Sequence, residues 1–108
     1  MTDRETLELA ARAAGYVFGE YGGKPARQVT TKIGAAWIYW NPRTDDGDAL
    51  RLAVYLEFEI DITSTGVAVR TRCGLKVLVN KTEEPDLCAA ARLAITRAAA
   101  EIGRQMEE

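Results

Sequence analysis
Trp37-Ile38-Tyr39-Trp40-Asn41-Pro42-Arg43-Thr44-Asp45-Asp46-Gly47-Asp48-Ala49-Leu50-Arg51-Leu52-Ala53-Val54 is the stretch on which the reading of this chain turns. Pro42 has no backbone donor and pushes Asn41 out of helical geometry, so the aromatic run before it reads as an extended segment that stops there. Alternation puts Ile38 and Trp40 on one side of that segment, Trp37 and Tyr39 on the other. Beyond the break, Thr44, Asp45, Asp46 and Asp48 all suit a helix start. Exposed carboxylates in a first turn oppose the positive helix end by about 0.3–1 kcal/mol each. From there Ala49, Leu52, Ala53 and Leu56 share a helical face. Val54, Tyr55, Phe58 and Ile60 favour sheet, which makes a strand over residues 50–60 the competing reading. The capping side chains decide for a helix from about Asp45 to Leu56 that passes directly into a strand.

Toward the N-terminus, Thr2-Asp3-Arg4-Glu5 has the form of a capping box, and Leu7, Ala10, Ala11 and Ala14 line one face of a first helix. Gly15 is a natural left-handed stop. The segment from Tyr16 to Pro25 is rich in aromatics and glycine and reads as a short strand or an irregular loop. Its Gly22-Gly23-Lys24 superficially suggests a phosphate loop, but the spacing is absent and Pro25 stands where Ser or Thr is needed. Gln28 to Lys32 reads as a weak strand, with a turn at Gly34.

Toward the C-terminus, Glu57 to Ile62 alternates as a half-buried strand does. Ser64-Thr65-Gly66 makes a turn, and residues 67–72 form the return arm of a hairpin. Gly74 is either a bulge in one long strand or the break between two. Thr82, Glu83, Glu84 and Pro85 announce a last helix, in which Leu87, Ala91, Ala94, Ile95, Ala98 and Ile102 form the apolar face. Arg92, Thr96, Arg97, Glu101 and Arg104 fall on the other side. No internal repeat, linker or low-complexity segment is visible. These elements add up to one α+β domain over residues 1–108: an antiparallel sheet of about three to four strands packed by N-terminal, central and C-terminal helices. A three-stranded sheet with terminal helices only is the alternative.

The 108 residues are 47% hydrophobic and 28% charged, a balance that folds as one small domain. A net charge of -2 and a pI near 5.2 argue against non-specific nucleic-acid binding. No apolar run approaches the ~20 residues of a membrane span, and the first residues do not read as a signal peptide, so a cytoplasmic protein is expected. Cys73 and Cys88 are too few for a disulfide scaffold and read as buried free thiols.

The chain has no histidine, which removes the commonest general base at neutral pH and excludes a Ser-His-Asp or Cys-His mechanism. Two cysteines without histidine cannot build the usual structural zinc site. The acids of Asp45-Asp46-Gly47-Asp48 do not alternate as a calcium loop requires, so they read as a helix start. Glu57 and Glu59 on one strand face could do acid–base work, but alternate acids on a strand are more often its solvated face. No enzyme, cofactor or metal site is therefore expected. The positive candidates are aromatic and basic. Trp37, Tyr39 and Trp40, with Tyr21 and Tyr55, could stack on a base or a partner protein. Arg43, Arg51, Arg70 and Arg72, with Lys76, could contact phosphate. Arg70, Arg72 and Lys76 share one sheet face if no bulge intervenes.

Trp40-Asn41-Pro42 followed by Asp45-Asp46-Gly47-Asp48-Ala49-Leu50-Arg51-Leu52-Ala53-Val54 resembles a group of short accessory proteins of tailed bacteriophages and prophages. The resemblance extends to the runs Leu7–Gly15 and Ala94–Gly103, about half of the chain. It implies a phage protein acting in the host cytoplasm, and it brings no catalytic residues with it. Small phage accessory proteins of this kind often counter host antiviral defence. By analogy, the expected function is non-enzymatic sequestration of a nucleotide-derived immune signal, with Trp37, Tyr39 and Trp40 stacking and the arginines on phosphate. A homo-oligomer is expected, because so small a monomer has little room to enclose a ligand. The alternatives are an inhibitor that contacts a host defence protein, in the manner of an anti-CRISPR or through the acids Glu57, Glu59 and Asp61 as a nucleic-acid mimic, and a structural or regulatory phage protein with no small ligand.

Overall fold
The computed structural model describes residues 2–106. The elements run α1 (Asp3–Ala13), β1 (Phe18–Tyr21), β2 (Lys24–Thr31), β3 (Gly34–Tyr39), α2 (Asp46–Tyr55), β4 (Glu59–Thr63), β5 (Gly66–Arg70), β6 (Lys76–Asn80) and α3 (Leu87–Met106). The class is α+β, and the described residues form six strands in two antiparallel sheets of three, ordered β1-β2-β3 and β4-β5-β6. A single sheet was the expectation. The second arises because the Tyr16–Pro25 segment is itself a hairpin, and Gln28 to Lys32 is the end of a longer strand. The element order contains the same unit twice, a three-strand meander followed by a helix, although the sequence shows no repeat.

Helix α1 starts on Thr2, whose hydroxyl accepts from the Glu5 N–H at 3.1 Å. The Glu5 carboxylate accepts from the same hydroxyl rather than closing the reciprocal half of a capping box. The helix ends on Gly15 at φ +75, and the Tyr16 N–H reaches back to the Ala11 carbonyl at 2.9 Å. Helix α2 is capped by Asp45, which accepts from Asp48 N–H at 2.8 Å. It ends in the same six-residue closure, Phe58 N–H to Ala53 carbonyl, but the left-handed seat there belongs to Glu57 at φ +57. Glu57 therefore lies outside β4 and does not share a strand face with Glu59. The reading without a central helix is excluded.

Gly22 and Gly23, both at positive φ, make the two-residue turn between β1 and β2. Pro25 is tolerated in the middle strand because it sits on the last rung, where its carbonyl accepts from Trp40 N–H at 3.1 Å. Gly74 (φ +93) belongs to the turn that separates β5 from β6, which pair Arg70 with Lys76, so it is not a bulge. A short 3-10 turn at Lys81–Glu83 precedes α3, whose first turn is capped by Asp86 through the Ala89 N–H at 2.8 Å.

Helix α3 is the centre of the molecule. It packs on β5 and β6, with α1 and α2 against its other sides. Val67, Val69 and Val79 form the sheet side of one apolar cluster, together with Leu52, Leu93, Ile95 and the alanines of α1 and α3. This placement buries Thr96, expected on the polar side, and its hydroxyl is satisfied by the Arg92 carbonyl at 2.7 Å. Alanines allow α1 and α3 to approach until Gly103 touches the Leu9 backbone. Both cysteines are exposed, not buried as expected, and neither is in a disulfide.

Candidate functional site
The seven residues put forward as a ligand site do not converge. Trp40 is a core residue, 3% exposed, with its ring edge-on to Tyr16 and Phe18 at centroid distances of 5.6 and 6.2 Å. It cannot offer a stacking face. Trp37 and Tyr39 lie on the opposite face of β3, as alternation requires. There the Trp37 ring covers Gly19, where a β-carbon would come within 2.7 Å of it. Tyr39 packs beside Tyr21 at 5.7 Å and under the Lys24 ammonium at 5.5 Å.

All four arginines are already engaged by carboxylates. Arg43 holds Asp3 at 2.7 Å and Glu84 at 3.6 Å. Arg51 holds Asp48 at 2.9 Å and Asp45 at 3.8 Å, and the Asp48 hydrogen bond raises its pKa above the ordinary guanidinium value. Arg70 pairs with Glu59 at 3.7 Å and Arg72 with Glu57. Arg70 and Lys76 are cross-strand neighbours on one face, as proposed, but Arg72 stands in the following turn. Such exposed pairs contribute only about 0–1 kcal/mol. Their carboxylates, however, would repel a phosphate brought to the same place.

One cleft does bring part of the set together. About 490 Å³ in volume, it is lined by Lys24, Tyr39, the edge of Trp40, Asn41, Asp45, Asp48 and Arg51. Asp48 also accepts from Asn41 N–H at 3.0 Å, which ties the end of β3 to the start of α2. Asp45 and Asp48 thus serve as helix cap and tether. Arg43 lines a different cleft, with Asp3, Thr6, Leu93 and Arg97, and Arg72 a third. Among the described residues no group of three or more acids or cysteines is arranged to hold a metal ion.

One largely apolar concavity was not anticipated. It is a groove of about 330 Å³ between α2, β4 and α3, with Ile60 and Ile62 as its floor. Ala49 and Leu50 form one wall, and Leu87, Cys88, Ala91 and Ile95 the other. The pairing Ile62–Val67–Val79 and Ile60–Val69–Val77 puts Ile60 and Ile62 on the same sheet face as the buried core valines. Helix α3 packs chiefly on β5 and β6; on β4, Ile60 is half-buried against the core while Ile62 is 60% exposed. Leu50 and Val54, one turn apart on α2, are 59% and 67% exposed. At one end the pair Asp46–Arg92, at 2.6 Å, marks the polar rim. The sequence carried a faint signal of this groove. Leu50 and Val54 fall outside the Ala49/Leu52/Ala53/Leu56 face, so the helix has a second apolar ridge.

Comparison with protein-family models, with curated proteins and with solved structures gives no match for this chain. Among the described residues, no helix is long and apolar enough to cross a membrane.

Proposed function
We propose that this chain is a non-enzymatic accessory protein of phage origin that counters host defence by direct contact with a protein, an amphipathic helix of which seats in the α2/β4/α3 groove. The observation that carries the reading is the part of β4 left open beside α2 and α3. Its Ile60 and Ile62 continue the core face of the sheet, yet Ile60 is only half-buried against the core and Ile62 stays 60% exposed. A groove with an apolar floor, walls from two helices and a charged pair at its rim suits an amphipathic helix, whose anchors recur at i, i+3 and i+4. The phage origin rests on the resemblance of the Trp40–Val54 stretch. The test is affinity capture from host lysate with wild-type protein and with the Leu50→Asp and Ile62→Asp variants. Both substitutions fall on exposed side chains and leave the core intact. A partner retained by wild type and lost from both variants supports the reading. Equal retention by all three overturns it.

The second reading, sequestration of a nucleotide-derived signal, is favoured by one observation. The Tyr39 ring with Lys24 over it and the Arg51 guanidinium line a single cleft of nucleotide size. Thermal-shift screening against cyclic di- and trinucleotides and ADP-ribose compounds tests it. A ligand at a hundred times its Kd adds about 2.7 kcal/mol and raises the melting temperature by about 10 °C. A flat panel removes this reading and leaves the first untouched.

A further inference from the structure
We infer that β3 is a dimerisation edge, paired antiparallel with β3 of a second copy of this chain, so that two three-stranded sheets become one six-stranded sheet. The inference rests on sheet β1-β2-β3 alone and is independent of the groove between α2, β4 and α3.

An open strand edge offers unpaired backbone groups, and proteins guard such edges with charge, proline or a covering element. The other edges of the two sheets are guarded. β1 carries Glu20 and has α1 against it, β4 carries Glu59 and Asp61, and β6 carries Lys76. The run Gly34-Ala35-Ala36-Trp37-Ile38-Tyr39-Trp40 has neither charge nor proline. It also lies on an arm whose tip residue, Ile33, is 98% exposed.

The backbone fixes which groups point outward. Trp40 N–H bonds to the Pro25 carbonyl, so alternate residues Ile38, Ala36 and Gly34 spend their backbone groups on β2. Ala35, Trp37 and Tyr39 direct theirs to the open edge. A two-fold axis at Trp37 uses all of them, because Trp37 then meets Trp37 of the second copy and Ala35 meets Tyr39. The three rungs form about six hydrogen bonds. A register centred one residue earlier leaves Tyr39 opposite Ile33, which is in the turn, and loses a rung.

The side chains fit the same register. The first half of the run is small and the second half large. Antiparallel self-pairing sets Gly34 against Trp40, Ala35 against Tyr39 and Ala36 against Ile38, so every bulky side chain off the axis faces a small one, and Trp37 meets its own copy on the axis. Nothing in the strand places like charges opposite each other. Continued outward, the register carries Ile33 and Lys32 of the second copy to the Asn41–Asp45 turn. A cleft lined by Lys24, Pro25, Tyr39, Asp45, Asp48 and Arg51 lies there, and Pro25 and Tyr39 offer apolar cover to the isoleucine. This small-against-large match and a set of open-edge backbone groups that is its own complement about Trp37 identify the occupant as a second copy.

Sedimentation equilibrium of the full chain tests the proposal. The wild type is expected at twice 11.8 kDa. Trp37→Lys sets two ammonium groups face to face on the axis and is expected to raise the dimer dissociation constant about tenfold or more. Ala35→Lys, at an exposed position, keeps the test available if Trp37→Lys fails to fold. Adding Tyr39→Glu to Ala35→Lys sets lysine against glutamate across the axis and is expected to restore the dimer. A monomeric wild type, or a dimer equally tight in both lysine variants, overturns the proposal.

Discussion
Replacing Gly103 by alanine sets two physical effects against each other, and the structure decides the sign. In a helix interior alanine is favoured over glycine by about 0.8–1 kcal/mol, so helix propensity predicts stabilisation. At Gly103 of α3, however, a β-carbon would overlap the Leu9 carbonyl oxygen of α1 and stand 2.7 Å from its carbon. That obstacle is backbone and cannot rotate away. The helices must part by on the order of 1 Å, and a gap of that size forfeits a quarter to a half of each dispersion contact along the seam. Overpacking of this kind costs about 1–3 kcal/mol, and the lost contacts among Leu7, Ala10, Ala11, Ala98 and Ala99 bring the net loss to about 2–4 kcal/mol. At about 4–8 °C per kcal/mol, thermal unfolding should move down by roughly 10–25 °C. Gly47→Ala is the control, because its nearest obstacle is the flexible end of the exposed Arg51 side chain, with the Asp45 cap carboxylate 3.3 Å away, and it should shift stability little or upward. If Gly103→Ala melts at or above the wild-type temperature, the close approach of α1 and α3 is not as described.

Four further outcomes are expected. Trp40→Ala, by emptying the space between Tyr16 and Phe18, should cost about 3–5 kcal/mol in denaturant unfolding, whereas truncating the half-exposed Trp37 should cost under about 1–2 kcal/mol in the monomer. Asp45→Ala removes the α2 cap and should cost about 1 kcal/mol in the same assay, with no loss if the helix starts elsewhere. Glu57→Gly relieves the left-handed residue after α2 and should stabilise by about 0.5–1 kcal/mol, although it gives up the exposed pair with Arg72. The Thr71 hydroxyl hydrogen bond lowers the Cys73 thiol below its ordinary pKa, and the Leu75 backbone adds to this. A depressed folded-state pKa favours the folded thiolate at high pH, and the effect fades as pH falls through that value. Alkylation of Cys73 should therefore begin at lower pH than in Thr71→Val, and identical pH profiles would contradict the assignment.

Much of the fold is legible in the residues themselves. Pro42 and the carboxylates after it located the strand end and the α2 cap, and Gly15 located the α1 stop, because each acts on its own neighbours. Alternation placed Trp37 and Tyr39 opposite Trp40. What failed was information that depends on distant partners. No local rule says that α3 will be enclosed by α1, α2 and a sheet, so Thr96 read as polar surface. The Glu57–Ile62 alternation was sound only from Glu59 onward, since Glu57 takes a left-handed seat that side-chain type does not announce. Arg43 and Arg72 looked available because their carboxylate partners, Asp3 and Glu57, are remote in sequence. Beyond the second ridge of α2, the groove was hidden for the same reason: how much of β4 stays open depends on where α3 lies, not on Ile60 or Ile62.

The central claim, that the α2/β4/α3 groove receives a segment of a protein partner, has a native reporter in Cys88, an exposed thiol in the groove wall. In a Cys73→Ser background, the rate of Cys88 alkylation is measured before and after addition of the partner captured from host lysate. Burial of the groove predicts that the rate falls about tenfold or more, and that it stays unchanged when Leu50→Asp is present. Undiminished Cys88 reactivity in the wild-type complex would contradict the account.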